Sequence, residues 1–436
     1  MCKETSGKGE VIMKTESADQ IDFAAFVGLD WADQEHAVCL EASGSTTVET
    51  RVIKQTAQAL GEWANELRVR FEGRKVAVCL EQSKGALIYA LMSYDFLVLY
   101  PVNPQTLAKY RKAFRTSGAK DDPDDAGSLR ELVKLHRDRL RAWVPDDVQT
   151  RTLQMLVESR RRIVRERTRL TNRLTSLLKA YYPQALEWAG ELKSLRACDF
   201  LKKWPTLEAV KRAKASELKK FYRQHGSRNE EVIEERIKQI RASDPLTRDQ
   251  AVIRSSAMVV EAIVSQLPCV IRAVEQFDQE IARVFQQHPD HELFNSFPGA
   301  GSALAPRLLA AMGSDRTRYE SAKEVQQFSG IAPVTQRSGK SKCVHRRFAC
   351  PKFVRQTFHE FAKHSIVWSK WAHAYYDQQR LRGKHHHAAI RALAYKWIRI
   401  IFRCWMDRTI YNEQAYVEAL RRRGSRLIPS PASSDS

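Results

Sequence analysis

Paired cysteines are missing from this chain. Its 436 residues include eight cysteines and no C-x-x-C pair, so neither a disulfide framework nor a zinc ribbon is indicated. Cys343, His345, Cys350 and His359 stand near one another in sequence, but their spacing fits no common zinc pattern. Long apolar runs are missing too. The longest, from Ala86 to Val102, is interrupted by Tyr94 and Asp95 and reads as a helix followed by a strand, not as a membrane span. Residues 1–20 are polar and hold no signal-peptide core, so they read as a short disordered tail. Neither a lipidation signal nor a long amphipathic anchor stands out. Together these absences point to a reducing, cytoplasmic setting and to no membrane.

Acidic charge is also in short supply. Lys and Arg number 72 against 51 Asp and Glu, giving a net charge of +21 and a pI near 9.7. Such a balance suits a polyanionic partner, DNA or RNA, better than a small metabolite. A chain of this length exceeds one compact core, so two or three domains are expected.

Three regions follow from the patterning. Residues 22–147 alternate strands and helices. Phe26 to Asp30 is a short apolar run ending in an acid, and His36 to Leu40 reads as its hairpin partner. Lys75 to Leu80 repeats the pattern and ends at Glu81. A helix from Ala86 to Met92 and a buried strand from Phe96 to Val102, stopped by Asn103-Pro104, complete an α/β layout. In such sheets ligands gather at strand ends.

Residues 148–288 change character. Leu153, Leu156, Ile163, Leu170, Leu174 and Leu177 form a near-heptad stripe, and eight arginines lie between positions 151 and 173. A second helical stretch from about Gln250 to Gln287, interrupted near Pro268, suggests an antiparallel coiled coil. The lysine-rich segment 185–245 gives no clear pattern. Residues 290–415 open on Phe297-Pro298-Gly299-Ala300-Gly301 and an apolar helix, pass through a basic loop from Arg337 to Arg347, and end in aromatic-rich helices. Those aromatics recur at helical spacing and read mainly as core, with Tyr375 and Tyr376 as candidates for base stacking. Residues 424–436 are Ser/Pro-rich and read as disordered.

Four acids stand where element ends would present them: Asp30, Glu81, Asp122 and Asp125. The last two are three apart, which puts them on one face of a helix. Four such carboxylates could hold two divalent ions against a scissile phosphate, and oxygen-only ligands favour magnesium or manganese. Each acid taken alone also reads as a turn residue or helix cap. Ser338, between Arg337 and Lys340 with Lys342 beyond, could attack phosphorus where basic groups hold a phosphodiester; a plain Ser-Gly turn is the alternative.

These residues resemble the DEDD-type insertion-sequence transposases of the insertion-sequence one-ten family, described as bridge-RNA-guided serine recombinases. The opening Phe26-Val27-Gly28-Leu29-Asp30-Trp31-Ala32, then Glu81-Gln82-Ser83-Lys84-Gly85, Asn103-Pro104 and Lys120-Asp121-Asp122-Pro123-Asp124-Asp125-Ala126 match the family's acidic motifs. Farther on, Pro298-Gly299-Ala300-Gly301 is similar to its helix-hairpin-helix-like segment. Gly330-Ile331-Ala332-Pro333 followed by Ser338-Gly339 is similar to its nucleophile block. Cys350 to Arg355 departs from the family's usual Gly-Asn-Arg-Arg-Leu-Arg.

The resemblance implies an RNase H-like (RuvC-like) N-terminal domain carrying the four acids with Mg2+ (or Mn2+). It implies a central coiled coil and a mainly α-helical C-terminal transposase domain supplying Ser338 as nucleophile. It also implies DNA strand exchange through a phosphoserine, a structured guide RNA pairing with target and donor DNA, and a homodimer or homotetramer in a prokaryotic cytoplasm, on the nucleoid when bound. Phosphate contacts are expected from Gly299, Gly301, Arg337, Lys340, Lys342, Arg346 and Arg347. Arg161 and Arg165, on the arginine stripe, would track a phosphate backbone or face solvent on a dimerising coil. Two other readings stay open: a hydrolytic RuvC-like nuclease and a non-catalytic nucleic-acid binder.

Overall fold

Strands come first because the early sequence alternates or runs apolar over five to eight residues. The structure, a computed structural model, describes residues 21–81, 85–114, 122–339 and 341–425, the side chains of Asp122 and Pro123 excepted. Two units divide at Pro145 and Asp146.

In the first unit β1 (Ala25–Asp30), β2 (Glu35–Ala42) and β3 (Val48–Lys54) precede α1 (Ala57–Arg70). Then come β4 (Val76–Leu80), α2 (Ala86–Leu91), β5 (Leu97–Pro101), α3 (Pro104–Phe114) and α4 (Asp122–Leu135). The five strands form one sheet in the order β3-β2-β1-β4-β5. β1 and β2, and β2 and β3, pair antiparallel, whereas β4 runs parallel to both β1 and β5. This mixed sheet, flanked by helices, is consistent with an RNase H-like fold.

Every residue of β4 is buried, the mark of a central parallel strand covered on both faces. Val76, Val78 and Leu80 join the core that holds Leu60, Trp63 and Leu67 of α1 and Leu87, Ile88 and Leu91 of α2. Ala77 and Cys79 face the other way, toward Leu107 of α3 and Leu129, Leu132 and Val133 of α4. The strand period of two thus sorts the helices into two layers. α1 starts where the Thr56 hydroxyl accepts from the Ala59 N–H.

The second unit is mainly helical. α5 (Val148–Tyr181) leads into α6 (Ala185–Trp188), α7 (Leu195–Lys203), α8 (Leu207–Arg212), α9 (Ala215–Gln224) and α10 (Glu230–Ala242), and α11 (Gln250–Gln286) follows. Near the start of α5, Leu153 and Val157 share a core with Ile281, Val284 and Phe285; near its end, Leu170, Leu174 and Leu178 share one with Val260, Ile263 and Val264. The two long helices therefore run antiparallel. The break expected near Pro268 does not occur, for α11 continues through it for 37 residues. Proline in a helix costs about 3 kcal/mol. Val264, Leu267 and Ile271 around it are buried at roughly 1.5–3 kcal/mol each, which outweighs that cost. α11 is the one helix, among the described residues, long and apolar enough to cross a membrane by length and composition.

Beyond α11 lie α12 (His291–Asn295), α13 (Gly301–Met312), α14 (Ala322–Phe328), β6 (Val334–Ser338), β7 (Ser341–His345), α15 (Lys352–Trp368), α16 (Lys370–Leu381), α17 (His386–Asp407) and α18 (Glu413–Arg422). Trp371, Trp397 and Trp405 are fully buried in their common core, against which Tyr416, Val417 and Leu420 of α18 also pack. Asp146 fixes the start of α5 to the end of α13, accepting from the Ser314 N–H at 2.8 Å and pairing with Arg318 at 2.7 Å.

Candidate functional site

Asp30 closes β1, and Glu81 directly follows β4. Leu29 pairs with Leu80 in the parallel register, so the two acids sit side by side at the carboxyl ends of neighbouring strands. Both are half-buried. A cleft at such strand ends is where open α/β sheets bind ligands.

α4 brings the other pair to the same edge. It crosses β1 at Gly28, whose lack of a side chain admits the backbone of Ala126 and Arg130. Arg130 and Lys134, farther along α4, both pair with the buried Glu41 of β2, which lies opposite Phe26 near the beginning of β1. The helix axis thus runs from the Asp30 end of the strand back toward its start. Asp122 and Asp125, in the first turn, therefore lie at the Asp30 end. Pro123 is second in α4, where its missing N–H has no intrahelical partner to lose.

Asp125 is buried, and its carboxylate accepts from Arg111 of α3 in a largely buried ion pair. Sequence reading missed Arg111. Among the described residues no three acidic, histidine or cysteine side chains stand close enough to hold an ion; the side chain of Asp122 lies outside the described ones. The donors brought to this edge are nonetheless all carboxylates, the chemistry that suits a hard divalent cation.

Ser338 is the last residue of β6. The segment expected as a loop is a β-hairpin, in which Ser338 pairs with Ser341 and Arg337 with Lys342. Gly339 follows at a φ of 54° with open space around it, so it serves the left-handed geometry of a tight hairpin turn and not a close contact. Lys340 lies outside the described residues. Thr335 through Val344 are exposed wherever described, so both faces of the ribbon meet solvent. With neither face buried, the segment had no two-residue apolar alternation to reveal it. Ser338 stands at the tip, and Arg337 and Lys342 pair across the ribbon one step back from it. Arg346 and Arg347, just past β7, line a cleft of about 540 Å³ at the root of the hairpin.

The remaining expected phosphate contacts are spread over the same unit. Gly299 stands just before α13 and Gly301 is its first residue, with φ of 78° and 51°. A side chain at Gly299 would meet Trp368 at 2.8 Å and the His364 backbone at 3.2 Å, whereas Gly301 faces open space. The first residues of α13, Gly301 to Ala303, are exposed. Arg165 is exposed as well. Arg161 is not: it donates to Gln356 Oε1 at 3.2 Å and lies 5.8 Å from the Phe353 ring centroid, packed on α15.

A family model described as "Transposase", of the DEDD type, matches residues 27–183, and one described as "Transposase IS116/IS110/IS902 family" matches residues 291–377. The first spans all four acids, the second the Gly299–Gly301 turn and the serine hairpin. The chain is 27% identical over 403 residues to the mini-circle protein of IS117 from Streptomyces coelicolor, which carries a transposase name; the match covers 89% of this chain and 95% of that one. It is 26% identical over 395 residues to the 44.8 kDa protein of insertion element IS116 from Streptomyces clavuligerus, covering 89% and 96%. Against the 42 kDa protein of insertion element IS900 from Mycobacterium paratuberculosis the figures are 24% over 401 residues, 89% and 97%. With acids at one sheet edge in the first matched segment and a basic serine hairpin in the second, the chain belongs to the IS110 family of insertion-sequence transposases.

Proposed function

We propose that this transposase cuts and rejoins DNA by attack of Ser338 on the scissile phosphate, at sites chosen by a structured guide RNA that pairs with target and donor DNA. The observation that carries the reading is the position of Ser338 at the tip of an exposed hairpin with cationic neighbours on both strands. Arg337, Lys340 and Lys342 hold the phosphodiester by charge. The Ser338 Oγ then bonds to phosphorus while the strand oxygen leaves with the serine proton. An incoming strand hydroxyl reverses the step, so the diester bond energy is kept and the serine is freed.

Asp30, Glu81, Asp122 and Asp125 would hold magnesium or manganese. Bound there, the ion would neutralise phosphate charge and activate an attacking oxygen. The backbone N–H groups at the start of α13, freed for close approach by Gly301, offer a second phosphate contact. A net charge of +21 supports binding of both DNA and RNA. Exchange requires cuts in more than one strand, which favours a homodimer or homotetramer.

The test is a trap for the covalent intermediate. Protein with co-purified RNA, labelled DNA and magnesium is denatured and run on a gel. A slow-migrating labelled band is expected, absent in Ser338→Ala and Asp125→Asn although both still bind DNA. Cleaved DNA without any adduct would replace serine attack by hydrolysis.

A further inference from the structure

The cleft at the root of the serine hairpin is lined by four cations and no acid. Arg346 and Arg347 come from the segment after β7, Lys384 from the turn before α17, and Arg391 from α17 itself, with Tyr375 and Tyr395 completing the wall. Lys384, Arg391 and Tyr395 lie beyond the segment that the second family model matches.

Like charges gathered in a concavity repel one another and seek an anion. Arg391 shows the cost, since burial and the neighbouring Arg346 both depress its affinity for a proton. Arg347 stands in the same wall, its Nε buried without a hydrogen-bond partner. An anionic oxygen entering the cleft would relieve the repulsion among the four cations. The aromatic residues add the other half of the recognition. Tyr395 is 37% exposed, and Tyr375 is half-buried with Lys396 4.6 Å from its ring centroid. Rings paired with cations are the elements that stack and hold single-stranded bases. The cleft volume of about 540 Å³ falls in the ordinary range for small-ligand pockets.

The wall is preformed. Gly330 adopts a φ of 70°, and a side chain there would meet Cys350 Sγ at 2.3 Å, so the two residues are locked together at the entrance to β6. A duplex, with its bases stacked inside, has no single base to offer such a cavity.

We propose that this cleft takes one unstacked nucleotide of a single-stranded nucleic acid, its phosphate against Arg346, Arg347, Lys384 and Arg391 and its base on Tyr375 and Tyr395. Four strand steps separate Val334 at the root from Ser338 at the tip, about 13 Å at 3.3 Å per residue. A strand anchored in the cleft would therefore present a phosphate a few nucleotides away to the serine. That positioning rests on the serine-attack reading; the binding itself does not.

Fluorescence anisotropy of the full chain with labelled eight-nucleotide DNA, eight-nucleotide RNA and the matching DNA duplex tests the pocket. Arg391→Ala and Tyr395→Ala are each expected to weaken single-strand binding roughly tenfold, to leave duplex affinity within about twofold, and to keep the wild-type melting temperature. Tyr395→Phe, which retains the ring, should bind the single strand as the wild type does. Comparing the two eight-mers tells whether DNA or RNA is the preferred strand. Oligonucleotides carrying 5-iodouracil should cross-link to Tyr375 or Tyr395. Cross-links elsewhere, or equal losses for single strand and duplex, would overturn the pocket. Single-strand binding that depends on Arg391 while no covalent adduct ever forms would leave the pocket standing and remove only the serine reading.

Discussion

A side chain on Gly28 would place its Cβ 1.9 Å from the carbonyl oxygen of Ala126. That distance sets how closely α4 lies on β1, and Asp125 is the residue next to Ala126. Gly28→Ala must push α4 away from the sheet, because backbone and not a flexible side chain blocks the space. Overpacking of this kind costs about 1–3 kcal/mol. Urea unfolding should show that loss, and adduct formation should fall at least tenfold even where the variant is fully folded. A variant that is as stable and as active as the wild type would remove the idea that this contact positions the acids.

Arg111 and Asp125 form a largely buried pair, with side chains 23% and 5% exposed. Deleting the cation leaves a carboxylate unpaired in a buried place, at about 3–5 kcal/mol. Arg111→Met should therefore melt well below the wild type in EDTA. If Asp125 takes part in holding a divalent ion, magnesium supplies the missing positive charge. The melting temperature of Arg111→Met should then rise more with magnesium than that of the wild type. Equal magnesium responses would argue that Asp125 is a structural partner of Arg111 alone.

The strands that carry the acids, β1 and β4, were legible because each is an apolar run closed by an acid, and β2 and β5 were legible as a hairpin partner and as a buried apolar run stopped by Asn103-Pro104. β3 was not, since only Ile53 is buried in it and its remaining residues face water; an edge strand of this kind has no apolar alternation. The short helices between residues 185 and 245 did leave a signal in their caps. Ser194, Thr206 and Asn229 each accept from the backbone N–H three residues on, and the helices bury Phe200, Leu218, Tyr222 and Ile233 in the core shared with α5 and α11. The approach of α4 to Gly28 and the Arg111 pair join distant parts of the chain, which local periodicity does not encode. Tyr395 and Arg391 share a face of α17 with Ala388 and Ala392 at helical spacing, a pattern hidden by the abundance of basic residues around it.

Arg161 and Arg165 belong to one helix but face different surroundings. Arg165 is exposed, whereas Arg161 packs on Phe353 and Gln356 with a buried Nε. If the stripe meets duplex DNA, Arg165→Ala should lower the slope of log affinity against log salt by about 0.9 without changing stability. Arg161→Ala should do the reverse, costing on the order of 1 kcal/mol of stability through the lost ring contact and leaving the slope near its wild-type value. Salt titrations by anisotropy beside urea melts separate the two. Equal slope changes in both variants would show that Arg161 reaches phosphate despite its packing.

His359 of α15 gives the fold a pH dependence of known sign. Burial is the main cause that holds its imidazole down at about 4, helped by His387, then Arg391 and, least, Arg346, with Glu360 opposing. The unfolded chain holds that proton at the ordinary value of 6.5, so it binds more protons than the folded state between the two values. Stability from this group is full above about 6.5 and is lost as pH falls toward 4. His288, also depressed by burial, acts in the same direction, so a single substitution removes only part of the slope. Between pH 7 and pH 5 the wild type should lose stability, and His359→Gln, which cannot take up the proton, should lose on the order of 1–2 kcal/mol less. Urea midpoints at the two pH values measure the difference. Parallel losses in both proteins would mean that the His359 imidazole is charged, or solvated, in the folded state as it is in the unfolded one.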